Sequence, residues 1–210
     1  MSIYSFNNMA RAIDEMKIER IKNATIEMVV ANGYGGASIS KIAKNAKVAE
    51  GYLYRFYASK NDLVNDLLFT SVNELADELE AILDDKHSVW EIFRQLHHSL
   101  FKLAHTNPDK MKFIFVLIHD YNFELINSQR RRIFDLCKRV KDIGISKMEF
   151  RSDITEEEIY LMGVSYPIQF INLRFKGFFD KSELNAEVME QALKICINSL
   201  RSNTYENGKN

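Results

Sequence analysis

Residues 38–63, SISKIAKNAKVAEGYLYRFYASKNDL, decide how this chain of 210 residues is read. Ile39, Ile42, Ala43 and Ala46 fall at offsets 0, 3, 4 and 7, one apolar face of an amphipathic helix. Ser38 stands where an N-cap belongs, with a side-chain oxygen able to accept from an orphan backbone N–H. After a short turn, a second helix of roughly Glu50 to Phe56 has Leu53 and Phe56 spaced i, i+3 to pack back onto the first. Glu50, Gly51, Tyr52, Tyr54 and Arg55 are left to face outward. Two helices on so short a turn, the second presenting Gly, Tyr and Arg, follow the helix-turn-helix scheme, in which the later helix enters the major groove of DNA.

From Arg20 onward the same residues carry a family resemblance. The order RI, A, GY, SI, IA, V, EGYLY, FY, SK, DL is similar to the N-terminal domain of tetracycline-repressor (TetR) family regulators. Ile42, Ala43, Val48, Gly51, Leu53, Tyr54 and Lys60 match the family pattern, and Tyr57 replaces its usual Phe. Three positions depart from it: Lys47 stands for the turn Gly, Ala49 for a Ser cap and Phe56 for a His. Lys47 is therefore expected in a left-handed backbone that Gly would take without steric cost, and Ala49 forgoes a cap worth about 1 kcal/mol together with a phosphate contact.

The resemblance implies that Tyr54 and Lys60 bind phosphates, joined by Ser38 and Lys41 from the first helix, while Gly51 lets the backbone come close. Base reading falls to Glu50, Tyr52 and Arg55: Glu50 can accept from a cytosine amine, and Arg55 can fork onto guanine or hold a phosphate. Packing between helices is the plainer alternative for Tyr52 and Tyr54.

The overall charge of −1 argues against nucleic acid until its distribution is considered. Residues 1–63 hold nine Lys or Arg against six acids, a net +3, which leaves −4 for the remainder. A basic head on an acidic body orients the head toward a duplex, although +3 alone also describes an ordinary solvated face. With 46% hydrophobic residues the chain can bury a sizeable core. No run of about 18 uncharged apolar residues occurs, and MSIYSFNNMARAIDE has no basic flank leading into an apolar stretch, so the chain is expected in the cytoplasm, off the membrane. Cys137 and Cys196 lack CxxC spacing and read as buried or free thiols.

Two prolines, eight glycines and no period-2 stretch predict an all-α protein. The expected helices are Asp14–Asn32, stopping at Gly33, then Ser59–Leu83, Ser88–Ala104, Pro108–His119, Leu125–Met148, Thr155–Phe175 and Ser182–Arg201, in addition to the two of the helix-turn-helix. Residues 14–74 form the expected DNA-binding domain, with the helix-turn-helix at about 38–57; residues 75–203 form an effector-binding and dimerisation domain, and 1–13 and 204–210 are expected to be flexible. Arg11 can reach a minor groove, although a frayed end fits it as well. Pro167 should kink its helix.

In the last helix Leu184, Val188, Gln191 and Ile195 follow one stripe, and Met189, Leu193, Cys196 and Leu200 another. Apolar surface on two sides needs two partners. A second subunit is expected to cover one of them, as the family does through a four-helix bundle, and the alternative is a helix interior to a monomer. The expected dimer residues are Met162, Tyr166, Phe170, Leu184, Val188, Ile195 and Leu200. Such a homodimer holds two recognition helices roughly 34 Å apart, one turn of a near-palindromic operator.

Twelve of fourteen phenylalanines lie beyond Leu63. Aromatic side chains line apolar pockets as well as filling cores. The candidates for an apolar or amphipathic small-molecule effector are Trp90, Phe93, His97, Phe115, Phe134, Tyr166 and Phe170, with Asp120 or Glu124 as polar anchors. His98 and His105 fall two turns apart on one face, but neither HExxH nor ExxH occurs, and no nucleophile motif or phosphate loop is recognisable, so no metal, cofactor or enzymatic role is expected. The expected function is repression relieved by the effector through the long helix starting at Ser59. The alternative keeps the fold and serves as an architectural or cell-division DNA-binding factor without a small inducer.

Overall fold

The computed structural model describes the backbone of residues 3–84 and 88–201, and their side chains from Asp14 onward except that of Asp84. All secondary structure among the described residues is helical, apart from an isolated antiparallel bridge between Phe150 and Arg201. In order, the helices are α1 (Ile3–Gly36), α2 (Ile39–Ala46), α3 (Glu50–Leu53), α4 (Lys60–Asp84), α5 (Val89–Thr106), α6 (Pro108–His119), α7 (Asn127–Ser146), α8 (Glu156–Tyr160), a π-helical turn (Leu161–Ser165), α9 (Tyr166–Phe175) and α10 (Ala186–Leu200).

Local chemistry accounts for most of the boundaries. Ser38 caps α2 by accepting from Lys41 N, and Lys47 ends it at φ 55°, ψ 48°, the left-handed conformation its position demanded. Ser88 with Glu91 and Thr155 with Glu158 form reciprocal capping boxes at α5 and α8. Gly33 interrupts α1 at φ 71°, ψ 169°, where a side chain would be strained. Pro167 lacks the N–H that would bond back to the preceding turn, and the helix accommodates it with the wider π turn just before it instead of a simple kink.

Four expectations are corrected. The first helix begins at Ile3, not Asp14; the side chains before Asp14, Arg11 among them, and residues 202–210 lie outside the described part. The second helix of the motif stops at Leu53, where Arg55 N and Phe56 N bond three residues back, to Tyr52 O and Leu53 O. Phe56 does not pack inward and is 48% exposed. The last helix starts at Ala186, since Asn185 accepts from Val188 N and supplies its cap, which leaves Leu184 ahead of the helix.

The chain divides into two compact units, one of residues 1–69 and 112–124, the other of residues 70–111 and 125–210. In the first, Ile21, Val29, Ile42, Leu53, Leu63, Val64 and Phe113 are sealed from solvent. The second encloses one apolar core built from Leu79, Ile92, Phe93, Leu136, Val140, Phe150, Ile159, Leu193, Cys196 and Leu200 with their neighbours. Gly144 on α7 lies against the Phe150 ring, so close that a Cβ there would collide with it. Cys137 and Cys196 are buried free thiols, pushed by desolvation up to about 11 and about 12.

Candidate functional site

In the first unit α2 is held to α1, and α3 follows it after Lys47 and Val48. Ile39, Ile42, Ala43, Ala46 and Leu53 turn inward, while Lys41, Lys44, Lys47, Ala49, Glu50, Gly51, Tyr54 and Arg55 are exposed. A Cβ placed on Gly51 would meet nothing within 4 Å, so the backbone there is open to close approach. Ala49 makes no side-chain cap, as its methyl group requires. The exposed face therefore carries cations, a phenol and one carboxylate, hydrogen-bonding groups suited to phosphates and base edges.

Several of the expected contact residues are engaged within the protein: Ser38 caps α2, and Lys41 Nζ donates to Gly36 O at 3.1 Å. Tyr52 is half-buried and its hydroxyl donates to Asp14 Oδ1 at 3.0 Å, with Lys17 Nζ 5.1 Å and the Arg55 guanidinium 5.5 Å from its ring. Arg55 also lies 5.8 Å from the Phe56 ring, which explains the outward Phe: it helps hold the Arg side chain. The Lys60 ammonium donates to Tyr34 O at 2.7 Å and Ala37 O at 3.1 Å and sits 3.9 Å from the Tyr34 ring. Desolvation pushes the Lys60 pKa down, partly offset by Asp120.

The aromatic candidates are divided between the two units. Phe115, Asp120 and Glu124 belong to the first unit. The Asp120 carboxylate accepts from Asn122 N and Tyr34 N, bonds that hold it below the usual range. Glu124 is exposed, and Phe115 stacks on His119 at 4.2 Å.

In the second unit Phe93 and His97 are core residues, with Phe93 6.2 Å from the Phe150 ring. His97 is fully buried, and neither ring nitrogen has a well-formed hydrogen bond; desolvation drives its pKa to about 4, opposed by the nearby Met162 backbone. Trp90 lines a cavity of about 160 Å³ with Val89, Phe150 and Ile197. Phe134 is 53% exposed on α7, and Tyr166 and Phe170 face each other at 6.2 Å on α9.

A groove not anticipated from the sequence runs between α5 and the start of α10. One part, of about 330 Å³, is lined by Arg94, Gln95, His98, Ser99 and Met189. The other, of about 280 Å³, shares His98 and Met189 and adds Phe101, Lys102, His105 and Leu184. The spacing of His98 and His105, which both line it, was its one sequence signal; no cluster of three potential metal ligands occurs among the described residues.

α10 presents two faces, as its two stripes require. Ala192, Leu193, Cys196, Ile197 and Leu200 are buried in the unit's own core, which removes Leu200 from the expected dimer residues. Val188 is half-buried, and Gln191 and Ile195 are exposed, Ile195 by 54%. Met162 and Tyr166 pack partly against their own core.

Residues 21–67 match the family described as bacterial regulatory proteins, tetR family. An uncharacterised helix-turn-helix-type transcriptional regulator of Haemophilus influenzae is 22% identical over 183 residues, 84% of this chain and 91% of that protein. A TetR family transcription regulator from Marinobacter aquaeolei superposes with a TM-score of 0.73 at 20% identity, covering 91% of this chain and 99% of the other. The transcriptional regulator FadR from Bacillus subtilis, solved in complex with stearoyl-CoA, gives 0.70 at 18% identity, covering 87% and 99%. At such identities the likeness to the solved structures is one of fold.

Proposed function

Since the chain belongs to the tetR family of bacterial regulatory proteins, we propose that this DNA-binding transcriptional regulator represses its targets as a homodimer on a near-palindromic operator and is released by an amphipathic small molecule. The observation that carries the reading is the exposed face of Glu50, Gly51, Tyr54 and Arg55 on a short helix behind a capped α2. Tyr54 holds phosphate and so contributes affinity without regard to sequence. Arg55, braced by Tyr52 and Phe56, reads a base edge, and Glu50 accepts from a cytosine amine. Lys41 and the α2 N-terminus behind Ser38 add phosphate contacts.

For the effector, the α5–α10 groove joins an apolar floor of Phe101, Leu184 and Met189 to a rim of Arg94, Lys102, His98 and His105. That pairing suits an acyl chain ending in an anionic group, the chemistry of the stearoyl-CoA in the structurally similar FadR. Release requires the effector to bind better to an arrangement whose recognition helices are wrongly spaced.

The test is fluorescence anisotropy with duplexes from upstream of the chain's own gene, beside random duplex. Tyr54→Ala should weaken binding to both alike. Arg55→Ala should lower affinity for the specific duplex alone, by a discrimination of about 1–3 kcal/mol. Stearoyl-CoA should raise the melting temperature and release the specific duplex. Equal losses on both duplexes for both variants would refute the division of roles, and stabilisation by sugars or amino acids alone would refute the effector class.

A further inference from the structure

We propose that Asp120, at the end of α6, is a positioning residue for DNA binding: its carboxylate clamps the α1–α2 turn in the conformation from which the helix-turn-helix is built. The inference rests on the DNA-binding reading above and adds a residue to it.

Gly33, at φ 71°, kinks α1 and turns the next backbone N–H toward a partner outside the helix. Asp120 Oδ2 fills that place, accepting from Tyr34 N at 3.0 Å and drawing further stabilisation from Gly35 N. A Cβ on Gly33 would lie 3.7 Å from the same oxygen. The carbonyls of the turn are taken from the other direction by Lys60, the first residue of α4, whose Nζ reaches Tyr34 O and Ala37 O. An anion thus holds the turn's donors and a cation its acceptors, and such charge-assisted bonds are stronger than neutral ones.

Asp120 is itself fixed. Its Oδ1 accepts from Asn122 N at 2.9 Å and from Asn122 Nδ2 at 3.2 Å, and its carbonyl accepts from Phe123 N at 3.0 Å. The Phe123 ring meets Tyr34 edge-on at 5.2 Å, the Tyr34 hydroxyl donates to Asn61 Oδ1, and Asn65 Nδ2 donates to Glu124 O. Directly after the turn, Lys41 Nζ donates to Gly36 O and Ser38 caps α2. Loss of the Asp120 bonds therefore loosens the backbone that leads into the α2 cap. α4 and α6 are also the helices that contribute residues to both units, so the two charges sit on the segments that lead on to the rest of the chain.

The test uses the full chain with Asp120→Ala and Asp120→Asn, followed by hydrogen exchange, operator anisotropy and thermal unfolding. Asp120→Ala should speed amide exchange over residues 34–38 while leaving α5 and α10 unchanged, and should weaken specific-duplex binding at least ~10-fold, the factor that corresponds to 1.4 kcal/mol. Asp120→Asn keeps an acceptor without the charge, so it should restore part of both readouts. Operator affinity unchanged in the Ala variant overturns the proposal, as does exchange unchanged in residues 34–38. If the Ala variant does not fold, the Asn variant decides: wild-type affinity and wild-type exchange together overturn the clamp. Failure of the unaltered protein to bind DNA would overturn the function above, and the exchange comparison, which needs no DNA, would still decide whether Asp120 holds the turn.

Discussion

The His97 imidazole is wholly enclosed on α5, 6.3 Å from the Phe93 ring centroid. Burial lowers its pKa from 6.5 to about 4, so the unfolded chain takes up a proton before the folded one does. Stability contributed by the neutral ring is complete above about pH 6.5 and declines as pH falls toward 4, by about 3 kcal/mol in all. His97→Leu should remove this dependence and stabilise the protein at pH 5 relative to the parent. Melting curves at pH 7 and 5 provide the check: parallel shifts in both proteins would count against it, because Asp120, Glu156 and Glu158, with lowered pKa values, weaken both equally on acidification. At the same scale the left-handed Lys47 and the uncapped Ala49 follow from local backbone chemistry and were legible in the sequence. It did not show the partners of Phe56, Lys60 and Asp120, which are Arg55, the carbonyls of Tyr34 and Ala37, and the Tyr34 amide.

Among the elements, the α2–turn–α3 segment follows its sequence most closely. Ile39, Ile42, Ala43 and Ala46 all turn inward, and Lys47 donates its N–H to Ala43 O and Lys44 O from the left-handed region. Lys47→Gly relieves that strain, and a gain of about 1 kcal/mol is expected, less than the full strain because glycine also frees the unfolded chain. Urea unfolding should show a higher midpoint at constant slope, and a lower midpoint would contradict the strain assigned to Lys47. Pro167 illustrates the limit of reading an element locally. Its lack of an N–H announces a disturbance, but whether the helix bends, breaks or widens depends on what surrounds it, here Gly163, where an added Cβ would come to 3.5 Å from Phe93 and Leu96.

For the whole molecule, the exposed stripe of α10 is the surface that the proposed dimer covers. Ile195→Glu places a charge there without touching the buried stripe, and sedimentation should shift toward monomer with at least a ~10-fold loss of operator affinity. A variant that remains dimeric would move the interface elsewhere. By composition and periodicity alone the chain declared itself helical, located its helix-turn-helix and showed that its last helix is apolar on two sides. These properties arise from neighbours within a turn or two along the chain, where propensity, capping and backbone geometry act. Folding in three dimensions decided which stripe of α10 is covered, that Asp120 meets the Tyr34 amide, and that His98 and His105 edge a groove with Met189. Each of those outcomes depends on groups far apart in sequence meeting within a few ångströms, and no local spacing records that meeting.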